Sequence, residues 1–190
     1  MVRINEDVWS EFSIEEQYIK VAGQESYTDM SCVGTAEHEL ESKTVRKKCR
    51  GLVVKQQTRG TGNGTLTEKL HVPRTVYNMI YSMNQEDLKD GIVSYGQSSR
   101  HPEFSLTMLI ENEDGDVMLR AYPRCKIMNG PKKSIENGAE EVAELDLTIS
   151  ILPDEYGNAV YDALKSELSE ELAKDWLTKF TPEFAHTVSA

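Results

Sequence analysis

Cysteine is scarce in this chain: three residues in 190, Cys32, Cys49 and Cys125, with no Cys-x-x-Cys pair among them. An odd, dispersed set excludes a disulfide framework and reads as reduced thiols. Long apolar runs are missing too, for no stretch approaches the roughly 20 residues that cross a bilayer. The opening Met1-Val2-Arg3-Ile4-Asn5-Glu6-Asp7 has no signal-peptide core. The expectation is a chain made in the cytoplasm with no membrane partner. Positive charge is in deficit, 21 Lys and Arg against 32 Asp and Glu, for a net charge of −11. Duplex DNA is held by cations that neutralise phosphates, so tight DNA binding is not expected. The length suits one domain over residues 1–190 and is short for two.

Catalytic motifs are also missing. Gly96-Gln97-Ser98-Ser99-Arg100 lacks the second glycine of a nucleophile elbow. Gly60-Thr61-Gly62-Asn63-Gly64 has no lysine behind it and leads into a strand pattern, which makes it a hairpin tip and not a phosphate cradle. His38, His71, His101 and His186 are scattered, Glu37-His38-Glu39 reads as a solvated stretch, and an EF-hand register around Gly115 would put Ile110 in the first ligand position. No residue is marked as catalytic, metal-binding or cofactor-binding, and the expectation is a non-enzyme. Carboxylates are plentiful, so a glycosidase-like pair remains as the least favoured alternative. The aromatics Tyr77, Tyr81, Trp176, Phe180 and Phe184 suggest another, a monomeric β-sandwich module for carbohydrate or a small ligand, although helical spacing favours packing.

What is present is alternation of period two. Phe104, Leu106, Met108 and Ile110 share one strand face, Glu113-Asp114-Gly115-Asp116 supplies a turn, and Val117, Leu119 and Ala121 resume the pattern, so residues 103–127 are predicted as a β-hairpin. Leu145, Leu147, Ile149 and Ile151 alternate with Asp146, Thr148 and Ser150, in a strand that stops at Pro153. Residues 45–58 and 65–72 look like two strands joined by an exposed glycine-rich hairpin at 59–65, and 18–23 and 92–96 are shorter strand candidates. A short helix is predicted after Pro73 from the spacing of Val76, Met79, Ile80 and Met83. An amphipathic one is predicted over about 166–178, with Leu164, Leu168, Leu172 and Trp176 at i+4 steps. The polar stretch 129–141 and the tail 180–190 carry no period; a loop that long is functional or disordered, and the tail could pack on a neighbour.

These pieces make a mainly β (α+β) domain. Over residues 117–184 the run Met118-Leu119-Arg120-Ala121-Tyr122-Pro123-Arg124, the polar loop, Ala143-Glu144-Leu145-Asp146-Leu147-Thr148-Ile149, the turn Asp154-Glu155-Tyr156-Gly157-Asn158 and the closing helix follow one another in a way that resembles the major tail proteins, or tail tube proteins, of long-tailed bacteriophages of Gram-positive bacteria. The resemblance implies two packed antiparallel sheets, sandwich- or barrel-like, with a helix on the flank. It implies hexameric rings stacked into a virion tail tube through which DNA is ejected. The implied partners are the chain itself and tape-measure, tail-terminator and distal tail proteins, with DNA only in transit. On this basis Gly60, Thr61, Gly62, Asn63, Gly64, Lys132, Lys133, Glu136, Asn137, Phe180 and Phe184 are expected at contacts between subunits or rings, unless those segments are surface without a partner. Asp146, Thr148 and Ser150 are candidates to face the lumen.

Overall fold

The computed structural model describes residues 9–187; the chain start at 1–7 and residues 188–190 of the expected tail arm lie outside the described residues. Eight strands and two helices follow in the order β1 (Ser13–Val21), β2 (Thr28–Asp29), β3 (Val33–Cys49), β4 (Leu52–Leu70), α1 (Arg74–Ile80), β5 (Glu103–Glu111), β6 (Val117–Ile127), β7 (Leu145–Ile151), β8 (Tyr161–Leu164) and α2 (Glu170–Lys179). The mainly β architecture and the helix near the C-terminus are as expected. All the strands belong to one antiparallel sheet in the order β2-β1-β5-β6-β7-β4-β3, with β8 added beside β6.

Strand β6 is the branch point. One of its edges pairs with β5, while the other is divided between β8 at residues 118–121 and β7 at residues 125–127. The sheet therefore curls, and strands that are not neighbours in it meet across the interior. Gln17 Nε2 of β1 donates to Glu68 Oε2 of β4 at 3.3 Å, and His38 Nδ1 of β3 lies 2.5 Å from the Tyr122 hydroxyl of β6. The two packed layers are thus two halves of one continuous sheet. Between them lies the main core, to which every layer contributes: Leu66 and Leu70, Leu106 and Met108, Ile149 and Ile151 are buried, as are Val76, Ile80 and Tyr81 from α1 and the turn after it. Each large apolar side chain so buried is worth about 1.5–3 kcal/mol.

Helix α2 covers the opposite face of the β1-β5-β6-β8 half. Trp176 and Phe180 pack there with Leu109, Leu119 and Ala121. The helix ends are satisfied locally: the Ser169 hydroxyl accepts from Leu172 N–H, Thr107 Oγ1 donates to Leu177 O at 2.7 Å, and the Tyr27 hydroxyl donates to Phe180 O at 3.0 Å. It starts later than the i+4 run suggests, because Leu164 ends β8 and Ser169 followed by Glu170 and Glu171 is the true start signal.

Two other expectations need correction. Residues 92–96 form coil ending in a bend and not a strand. The exposed hairpin tip is not at 59–65: residues 60–64 lie inside β4, and β3 and β4 continue past them to a two-residue turn at Arg50 (φ 50°) and Gly51 (φ 83°), flanked by the pair Cys49 and Leu52. Two positive φ values in succession are what a tight hairpin requires.

Candidate assembly surfaces

Beyond Leu40 and Gly64 the β3–β4 ribbon leaves the body, and every residue from 41 to 61 is exposed. At about 3.3 Å per residue, the segment from Leu40 to Cys49 reaches about 30 Å outward. This arm carries Lys43, Arg46, Lys47, Lys48, Arg50, Lys55 and Arg59, with no Asp or Glu between residues 42 and 59, on a chain of net charge −11. Its apolar residues are also exposed, Val45 by 56%, Leu52 by 73% and Val54 by 56%. The sequence reading missed it as a unit, although seven basic residues with no acidic one among them were there to be seen.

At the root of the arm sits the glycine-rich stretch. The ladder slips between the pairs Leu40–Gly64 and Ser42–Gly60, leaving Gly62 at φ +80°. A Cβ on Gly62 would come within 2.9 Å of Gly157 O and Pro153 Cβ, and one on Gly64 within 2.6 Å of Glu39 O. These glycines permit a bulge and close packing on the chain's own 153–157 turn. Gly62, Asn63 and Gly64 are partly or fully buried, while Gly60 and Thr61 are exposed.

The polar loop divides into a pinned and a free part. Asn129 Oδ1 accepts from Thr148 N–H and Asn129 Nδ2 donates to Asp146 O, each at 3.1 Å, so one side chain completes the edge of β7 where β6 no longer pairs with it. Lys132 Nζ donates to Asp146 Oδ2 at 3.1 Å, and Lys133 Nζ lies 4.9 Å above the Tyr77 ring. Lys132 and Lys133 thus anchor the loop to its own chain. After them come Ile135 and Val142, exposed by 93% and 83%, with Glu136, Glu140, Glu141 and Glu144 and no Lys or Arg between 134 and 144. Glu136 and Asn137 lie here, both exposed.

Asp146, Thr148 and Ser150 occupy the face of β7 turned away from the core, each partly exposed. Register places Lys69, Thr67 and Thr65 beside them, then Thr35, Glu37 and Glu39 of β3. The result is a continuous polar face three strands wide. Strand β3 closes the sheet at this side, and among the described residues no strand pairs with its outer edge.

The expected tail arm behaves differently. Phe180 is only 3% exposed and belongs to the chain's own interior, which corrects its assignment to a subunit contact, while Phe184 packs beside Trp176 and stays partly exposed. Tyr77, Tyr81 and Trp176 are buried as well, so none of these three presents a free ring face to a sugar.

A cleft of about 610 Å³ opens between residues 11–14 and 33–38 and reaches His38, Arg120 and Tyr122. Burial opposes the charge on Arg120, but Asp162 at 2.7 Å and Glu11 at 2.6 Å outweigh it and hold the guanidinium ionised. Burial, and then Arg120, push the His38 pKa down, which keeps the imidazole neutral. With its cation already neutralised by two carboxylates, the cleft offers no free charge to an anion. Among the described residues no group of three or more His, Cys, Asp or Glu could hold a metal ion, and no helix is long and apolar enough to cross a membrane.

No protein-family model matches the chain, and no curated protein matches its sequence. Among solved structures the chain is similar to a chain of the anti-feeding prophage cap, the tube-terminating cap, at 11% identity and a TM-score of 0.47 over 86% of this chain and 99% of that one. It is also similar to a chain of the anti-feeding prophage baseplate, at 10% identity and a TM-score of 0.43 over 80% and 93%. At that identity and those TM-scores neither likeness assigns a role to this chain.

Proposed function

We propose that this chain is a structural, non-enzymatic subunit of a phage-type tail, of the tail-tube kind, which joins copies of itself into rings and stacks them into a hollow tube. The observation that carries the reading is the outer edge of β3, which among the described residues pairs with no strand and which over residues 33–40 flanks a polar three-strand face. A long open edge is an aggregation hazard unless another chain covers it. Edge-to-edge joining of copies would cover it by main-chain hydrogen bonds and turn the Asp146, Thr148 and Ser150 face toward a common bore. A wet wall of Thr, Ser and acidic side chains, in which Asp146, Glu37 and Glu39 outnumber Lys69, suits DNA that must pass without sticking. The hexameric count, the virion location and the tape-measure, terminator and distal tail partners belong to this proposal through the family resemblance.

Negative-stain microscopy of the purified protein over a concentration series, with sedimentation in parallel, tests it. Rings or hollow tubes are expected. A monomer at every concentration and salt tried would end the reading.

A further inference from the structure

We infer that the tip of the basic arm of one copy docks on the free part of the acidic loop of a second copy. The inference deepens the assembly reading and rests on it. Two surfaces of this one chain complement each other in charge and in polarity. The arm tip sets Leu52, Val53 and Val54 among Lys47, Lys48, Arg50 and Lys55, and the loop sets Ile135 and Val142 among Glu136, Glu140, Glu141 and Glu144. Neither apolar set is covered by its own chain. An apolar centre with a charged rim is the composition of a specific contact, and opposite rims steer the encounter.

The position of the two surfaces decides that they meet between copies. Loop residue Glu144 immediately precedes Leu145, which pairs with Leu70, whereas the arm leaves the body beyond Gly64, which pairs with Ile151 at the other end of β7. Arm and loop therefore lie at opposite ends of the β4–β7 ladder. A contact between unlike ends of identical chains is heterologous, and it propagates along the strand direction as a ring or a filament. Covering the β3 edge joins copies sideways; the arm joins them end to end, with the slip at residues 60–64 setting its departure.

Charge reversal separates the outcomes. The variants K47E/K48E/R50E and E136K/E140K/E141K are each expected to raise the protein concentration needed for assembly at least about tenfold, because like charges then face each other. A one-to-one mixture of the two variants restores assembly, since every contact then has an arm and a loop of opposite sign available. A second measurement uses the thiols: Cys125 is buried and Cys32 and Cys49 are exposed, so C32S leaves Cys49, next to the arm turn, as the accessible site for a photo-crosslinker. The crosslinked peptide is expected to come from residues 134–144 of another copy. Unchanged assembly by both reversed variants, or crosslinks mapping elsewhere in tubes that still form, overturns the inference and leaves the tube reading standing. A wild-type chain that never assembles removes both. Arm-dependent binding of a 30-base-pair duplex probe near physiological salt, with no crosslink to the loop, overturns it in favour of nucleic acid.

Discussion

Glu68 faces inward between Leu66 and Leu70 on β4, fully buried, with Gln17 as its hydrogen-bond partner and its Oε1 unpaired. Burial pushes its pKa up from 4.5 to about 7, and the Gln17 bond opposes the shift only in part. A folded-state pKa above the unfolded one means that the native state holds the proton more tightly. Its contribution is fully present below pH 4.5 and is lost as pH rises through about 7. His38, with its pKa lowered by burial and Arg120, acts in the opposite sense, costing stability as pH falls below 6.5. The groups that face Glu68 from β6, Tyr122 and Cys125, are both raised by burial and stay neutral over this range. Comparing Glu68→Gln with the wild type at each pH cancels the His38 term. Glutamine imitates the protonated acid, so the variant should match the wild type near pH 4.5 and exceed it above pH 7, by about 3 kcal/mol. Thermal melts at pH 4.5 and pH 8 would show it, and an equal stability difference at both would refute a proton held on Glu68.

At the scale of elements, legibility followed contact with the core. The β5–β6 hairpin and β7 were readable because one face of each is buried, which imposes alternation, and because Gly115 and Pro153 mark their ends. The outer halves of β3 and β4 touch no core, so nothing in residues 42–59 enforces a period. Five residues rich in glycine then outweighed Arg50-Gly51 as a turn signal, though their freedom serves a bulge and a close approach. Strand β8, four residues long, was hidden inside an apparent helical run of leucines that Leu164 and Leu168 do not continue. The same error of scale misplaced Phe180, whose isolation in sequence hid its place beside Trp176. Gly62→Ala distinguishes the roles given to the glycine stretch. If Gly62 holds the arm root, positive φ and the clash with Gly157 O destabilise the isolated monomer by about 1–3 kcal/mol in urea unfolding. A residue reserved for contacts between subunits would leave the monomer unchanged.

For the whole molecule, the informative quantity is the separation of charge along the ladder and not the net −11. A uniformly acidic surface keeps copies apart, and a uniformly mixed one gives no preferred orientation. Here the basic residues of the arm stand at one end of the β4–β7 ladder and the acidic loop at the other, so two approaching copies attract only head to tail. An isolated two-stranded ribbon is marginal in water, and the arm has no core of its own. It therefore contributes little to the stability of the domain, and the outer edges of its two strands gain a partner only when another copy arrives. Removing residues 43–58 and closing Ser42 to Arg59 with an Asn-Gly turn should leave the melting temperature within a few degrees of the wild type, since every residue removed is exposed. The same trimmed chain should form no tubes at concentrations where the wild type does. Because the arm contact is electrostatic at its rim, raising ionic strength from about 0.1 M to about 1 M, which shortens the Debye length from about 10 Å to about 3 Å, should slow wild-type growth markedly. Tubes that grow from the trimmed chain at the wild-type rate would show that edge pairing along β3 is sufficient for stacking as well as for ring closure.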